Sequence, residues 1–152
     1  MQSRRTIFRV VTFFLIVSLF ACGKATPQNE FEDFKAGNFK NSANIDNKWL
    51  PLQPGTKLVY EGLTDENGQL VPHRLIITVT DLTKVINGIR SVITWDLDYS
   101  SGKLVEAELA FFSQDNNGAV WRMGEHPEDY ADGKFAGAST WISGIEDAVA
   151  GI

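Results

Sequence analysis

From Lys57 onward, apolar and polar residues alternate in short runs that glycines keep interrupting. Lys57-Leu58-Val59-Tyr60-Glu61 reads as a strand, and Gly68, Gly88, Gly102, Gly118 and Gly133 follow at gaps of 20, 14, 16 and 15 residues. That spacing fits strands joined by hairpins, and no helical period competes with it. Three-residue loops ending in glycine, at Ile86-Asn87-Gly88, Ser100-Ser101-Gly102 and Asn116-Asn117-Gly118, sort the side chains onto two faces. Leu75, Ile77 and Val79 then oppose Tyr99, Leu97 and Trp95, which in turn oppose Lys103, Val105 and Ala107. Phe111 opposes Met123, and Ser113 opposes Trp121. Ile76, Val92, Leu104, Phe112 and Val120 fall on the other face, which points to partial cover there too. The expectation is an all-β antiparallel meander with one mainly apolar face, built as a curled sheet, an open barrel or a sandwich. If that face is the core, Leu97→Ala costs about 2–5 kcal/mol.

The pattern before the sheet is different. Arg4, Arg5 and Arg9 precede an 11-residue apolar run, Val10 to Phe20, broken only by Thr12 and Ser18. The run is shorter than the roughly 20 residues that span a bilayer, and small residues follow it, which is the layout of a signal peptide over 1–21. Leu19-Phe20-Ala21-Cys22 resembles the bacterial lipobox, with Phe20 bulkier than the usual residue there. The resemblance implies a diacylglyceryl group on Cys22, cleavage before it and acylation of the new terminus, often with palmitate. Two or three acyl chains hold a protein stably at a membrane where one does not. Gly23 after the cysteine resembles outer-membrane sorting in a Gram-negative host. The competing reading is ordinary signal peptidase cleavage after Ala25, which removes Cys22. Ser3-Arg4-Arg5-Thr6-Ile7-Phe8-Arg9 resembles the twin-arginine export motif, although so hydrophobic a run suits the general secretory route better.

Between signal and sheet, residues 22–48 are rich in Asn, Lys, Glu, Asp, Ala and Gly and read as a flexible linker. Phe31 and Phe34 have the spacing of one face of a short helix, and Phe39 follows. The β domain is expected over 49–152, opening on Trp49-Leu50-Pro51-Leu52-Gln53-Pro54-Gly55-Thr56. Its end, Trp141 to Ile152, is apolar without a clear final element and looks cut short.

Pro51 to Gly62 resembles the opening of a family of uncharacterised exported bacterial proteins, in which Pro-Leu-x-Pro-Gly-Thr leads into a Val-Tyr-Glu-Gly strand. Ser113-Gln114-Asp115-Asn116-Asn117-Gly118-Ala119-Val120-Trp121 and Gly124-Glu125 are similar to that family's hairpin. The similarity runs from about Asn47 to Ile152. Leu58 stands where the family usually has tryptophan, and Asn116-Asn117 where it has a more charged turn. No activity attaches to the family, so the resemblance implies no catalytic residues.

Charge narrows the partners. The whole chain has 14 basic and 19 acidic residues; without Arg4, Arg5 and Arg9, 11 basic residues face all 19 acidic ones, a net −8 after Ala21. Such a domain is ill suited to nucleic acid, which needs clustered Lys and Arg. With Cys22 as the single cysteine, no internal disulfide can form.

The candidate chemistry is sparse. On the chosen register Asp96 opposes Glu106, with Asp98 and Glu108 on the same outer face. Like charges across a sheet are unfavourable, so these carboxylates either keep a wet face soluble or bind a cation or basic partner. Glu125-His126-Pro127-Glu128-Asp129 adds oxygen and imidazole donors, so Asp96, Glu106, Glu125 and His126 are the candidate metal ligands, although Pro127 reads as a turn. Asp115-Asn116-Asn117-Gly118 resembles the start of a calcium loop, but its twelfth position is His126, and a turn accounts for it. His73 has no evident partner. An apolar ligand would meet Trp95, Leu97, Phe111 and Trp121.

These residues describe an exported, lipid-anchored cell-envelope protein whose β domain binds or scaffolds without catalysis or cofactor. It touches the membrane through Cys22, at the cell membrane or the periplasmic face of an outer membrane. The alternatives are a carrier or sensor of an apolar ligand on the concave sheet face, and a carboxylate-dependent hydrolase. Metabolic labelling with palmitate is expected to mark the protein, and Cys22→Ser to abolish the mark; label that survives the substitution overturns the anchor.

Overall fold

Four tight turns decide how the strands meet. Asn67-Gly68, Asn87-Gly88, Ser101-Gly102 and Asp132-Gly133 each place two successive residues at positive φ, as at Asn87 (48°) and Gly88 (79°). Two left-handed residues make the primed turn whose twist matches the flanking strands. They join β1 (Lys57–Glu66), β2 (Gln69–Ile86), β3 (Ile89–Ser100) and β4 (Lys103–Gln114), and then β5 (Val120–Ala131) to β6 (Lys134–Gly137). β7 (Trp141–Ile142) pairs with β5 beside β6. The chain is therefore an antiparallel meander in the order β1 to β6, an open sheet rather than a closed barrel. The computed structural model describes residues 32–152. The expected signal peptide, the lipobox-like stretch with Cys22, the twin-arginine-like stretch and Phe31 lie outside the described residues. Among the described residues no helix is long and apolar enough to cross a membrane.

The two-residue turns overturn the expected register. Ile86 pairs with Ile89, and an irregularity between Val79 and Thr83 resets the ladder, so that Leu75 opposes Asp98 and Ile77 opposes Asp96. Thr80 steadies that irregularity, its hydroxyl donating to Ile93 O at 2.7 Å. A one-residue slip moves a whole side-chain set to the other face. Leu75, Ile77 and Val79 consequently share a face with Thr94, Asp96 and Asp98, not with Trp95, Leu97 and Tyr99. Between β3 and β4 the two-residue turn and a bulge after Asp98 each shift the pairs by one, so the faces are kept but Leu97 opposes Ala107 and Trp95 opposes Leu109. Ser113 does oppose Trp121, while a bulge between Phe111 and Phe112 sets Phe111 against Gly124 instead of Met123.

No single apolar face results. At one end of the sheet both faces are buried. On one, Ile86, Ile89, Phe111, Trp121 and Met123 pack with Phe39 and Ala150. Phe34 and Phe39 set their rings edge-on to Trp121, at centroid distances of 5.6 and 5.9 Å. On the other, Val79 and Val92 pack with Ile45 and Leu52, joined by Phe112 and Val120. The cover comes partly from the stretch expected to be linker. A 3-10 turn, Ala36–Asn38, and the residues after it belong to the folded unit, so its boundary lies well before Trp49. Backbone and side chains bind this segment to the β4–β5 loop. Gln114 N donates to Ser42 O at 2.9 Å, Asn116 N to Asn38 O at 2.7 Å, and Asn47 Nδ2 to Gly118 O at 2.7 Å.

At the other end of the sheet the Trp95 face is bare. Trp95 keeps 49% of its surface exposed, and Leu109, Val59 and Leu63 are exposed beside it. The expected cost of Leu97→Ala therefore moves elsewhere. Met123→Ala, at a fully buried site, is expected to lose about 2–5 kcal/mol, and Leu97→Ala clearly less. Urea denaturation of the two variants measures the difference; equal losses contradict the division of the core.

Candidate functional site

Alternation along β3, β4 and β5 gathers carboxylates on the face opposite Trp95. Asp96 pairs with Glu108, Asp98 with Glu106, and Glu106 with Asp129. The four residues expected on one face are all there, but Asp96 meets Glu108 and not Glu106. The face is also not the wet outer one: Asp96 is only 6% exposed.

Such an arrangement needs a counter-charge, and the bulge in β5 supplies it. In a regular strand, residues three apart point to opposite faces. The extra residue at Met123–Gly124 brings Arg122 and Glu125 to the same face. Arg122 Nη2 lies 2.6 and 2.8 Å from the two oxygens of Glu108 and 2.7 Å from Glu125 Oε2. Its guanidinium rests over the Phe112 ring, 5.6 Å from the centroid. Gly124 makes the bulge possible. Its φ is 153°, and a Cβ there would stand 2.6 Å from Trp141 O.

From β2, His73 Nε2 approaches Asp98 Oδ1 at 3.4 Å. Around this network several buried atoms have no hydrogen-bond partner: Asp96 Oδ1, Thr94 Oγ1, Asp98 Oδ1, His73 Nδ1 and Arg122 Nε. Burial pushes the Asp96 carboxyl up to about 6; Glu108 and Glu106 add to the rise. Arg122 opposes it, as does the Thr94 hydroxyl, which is close by but outside hydrogen-bonding geometry. Burial also raises Glu106, helped by Glu108, Asp129, Asp98 and Glu125. Glu108 is raised by burial against the pull of Arg122.

The candidate metal ligands are not brought together. Asp96, Glu106 and Glu125 share the acidic face, while His126 opposes Leu109 on the Trp95 face and meets the Thr140 hydroxyl. Among the described residues no three His, Cys, Asp or Glu side chains are grouped closely enough to hold a metal ion. The stretch around Pro127 is strand, not turn. β7 pairs with Gly124 and Glu125, and β6 begins pairing at Asp129, so Pro127 sits where β5 has no outer neighbour and needs no N–H. Asp115 is a turn organiser: its carboxylate accepts from Asn117 N and Ala119 N at 2.9 and 3.0 Å and from Trp121 Nε1 at 3.2 Å.

The four candidate apolar-ligand residues share a face but divide between its two ends. Phe111 and Trp121 are buried under Phe34 and Phe39, whereas Trp95 and Leu97 lie toward the bare end. Trp95, Leu109, His126 and Glu128 border a small pocket there. A larger one, of about 540 Å³, lies among Glu61, His73, Arg74, Ile76 and Tyr99.

Sequence reasoning missed Arg122, the place of Asp129 opposite Glu106 and the His73–Asp98 pair. Arg122 was within reach: once Ser113 opposes Trp121, Phe112 opposes Arg122, and Phe112 shares its face with Glu108 and Glu106.

The raised Asp96 carboxyl sets a pH dependence. Between about pH 4 and pH 6 the folded protein holds a proton that the unfolded chain has released, so stability falls as pH rises through that window. Asp96→Asn is expected to flatten this slope and to stabilise the protein at pH 8 by about 3 kcal/mol. Thermal unfolding across that pH range measures it, and a destabilised variant at pH 8 contradicts the account.

No family model, curated protein or solved structure matches this chain, so the acidic face is read from its own residues.

Proposed function

We propose that this is an exported, lipid-anchored cell-envelope protein whose β domain binds a cationic partner on its acidic face, without catalysing a reaction. The observation that carries the reading is the gathering of Asp96, Asp98, Glu106, Glu108, Glu125 and Asp129 on one face, with a buried carboxylate oxygen left unpartnered. Carboxylates placed opposite one another lose stability, and burying them raises that loss. A bound cation offsets it. A face kept acidic only for solubility has no need to bury Asp96, since exposed carboxylates serve that purpose.

The anchor at Cys22 rests on the lipobox, and the folded unit that begins well before Trp49 would then stand a short chain length from the membrane. In this reading the protein holds a charged receptor face at an envelope surface.

Titration of the full-length protein with methylammonium, spermine and an oligolysine peptide tests the binding claim. At least one probe is expected to bind saturably, to weaken as salt is added, and to be lost from the Asp98→Asn, Glu106→Gln double variant. Failure of every probe to bind overturns the reading, as does binding that the double variant retains.

A further inference from the structure

The acidic face has an apolar neighbour that a site for bare cations does not require. Ile77 opposes Asp96 and Leu75 opposes Asp98; Leu58 opposes Ile77 and Tyr60 opposes Leu75. One face therefore carries carboxylates on β3, β4 and β5 and an apolar strip on β1 and β2. Leu58, Leu75 and Ile77 are half-buried, and Tyr60 is 52% exposed.

Asp96 sits on the boundary between the two strips. It is 6% exposed and its Oδ1 accepts no hydrogen bond; Thr94, two residues along the same face, is fully buried with its hydroxyl unpartnered. Asp98 Oδ1 is also without a hydrogen bond, although His73 Nε2 stands 3.4 Å from it. Arg122 donates to neither atom: its Nη2 is engaged by Glu108 and Glu125, and its Nε has no partner. An N–H donor from outside the chain that displaces the cover over Asp96 relieves its desolvation. The carboxylates are not grouped as a metal ion needs them. Neighbouring strands lie about 4.8 Å apart, so two strand spacings put Tyr60 roughly 10 Å from the β3 carboxylates. That is the length of a short alkyl or arylalkyl chain.

We propose that this face binds an organic monocation, a primary ammonium group carried on an apolar body. The ammonium sits at Asp96 and Asp98, and the body runs across Leu75 and Ile77 to Tyr60. The proposal rests on the reading of the acidic face as the binding surface and deepens it by naming the ligand class. A polyamine would leave the apolar strip unused, and an apolar neutral molecule would leave Asp96 unpartnered.

Calorimetric titration of the full-length protein in lipid nanodiscs, against empty nanodiscs, tests it with phenylbutylammonium, the neutral phenylbutanol, methylammonium and spermine. Phenylbutylammonium is expected to bind at one per chain and about tenfold or more tighter than phenylbutanol, the value of a charge-assisted hydrogen bond. Asp98→Asn and Glu106→Gln, checked for folding by circular dichroism, are each expected to weaken it. Tyr60→Ser, at an exposed position, is expected to weaken phenylbutylammonium and leave methylammonium unchanged. Spermine binding more tightly than phenylbutylammonium, or Tyr60→Ser without effect, overturns the proposal while leaving a cation-binding face. Silence from every cation overturns both.

Discussion

The guanidinium of Arg122 lies between Glu108 and Glu125, on a face where Asp98 has an imidazole beside it and Asp96 pairs with Glu108. Three strands share that arrangement, because Asp96 on β3, Glu108 on β4 and Glu125 on β5 are brought to one face by the pairing of the three. The pairing in turn depends on one extra residue at Met123–Gly124. Without it, Arg122 and Glu125 would face opposite ways and the acids would lose one arm of their ion pair. Gly124 can hold this position because it has no side chain to strike Trp141. Backbone freedom at one residue thus decides the electrostatics of a whole face.

The molecule divides along its strands more than across them. At one end, side chains of both faces are covered by residues 34–52 and by the tail around Ala150, and the interior is aliphatic and aromatic. At the other end one face presents Trp95 and Leu109 and the other presents the acids. A stable sheet with an uncovered end can keep functional groups in costly positions, since the covered end supplies the packing that holds the register.

The sequence made the class of fold legible: glycine spacing and alternation point to an antiparallel meander, and the structure is one. The faces were harder to read. Asn87-Gly88 and Ser101-Gly102 carry the signal of two-residue turns; an extra residue at the first puts Leu75, Ile77 and Val79 on the wrong side, while at the second the bulge after Asp98 offsets it. The irregularities at Thr80–Leu82 and after Asp98 have no sequence mark of their own; the first is held by a hydroxyl bonded across strands. Asp96, Asp98, Glu106 and Glu108 were legible as a group because errors of two residues preserve the face. Their burial was not legible, because it depends on Arg122 and on a bulge. Phe39 and Ile45 were hidden in a polar stretch whose composition resembles a linker, and only contacts with residues far along the chain reveal their role.

Those contacts impose an order on the making of the molecule. Each hairpin joins neighbours in sequence and can form as soon as its own residues are available. The segment from Asn38 to Leu52 is different, because its partners, Gln114, Asn116 and Gly118, lie on the order of 70 residues later. It is synthesised before the strands it covers, and its hydrogen bonds to the β4–β5 loop must wait until that loop exists. Ile45 and Leu52 are exposed until the strands they cover are made, flanked by Asn, Asp and Lys that keep the waiting segment soluble. The polar composition of this stretch is a requirement of the folding sequence as well as of the finished surface.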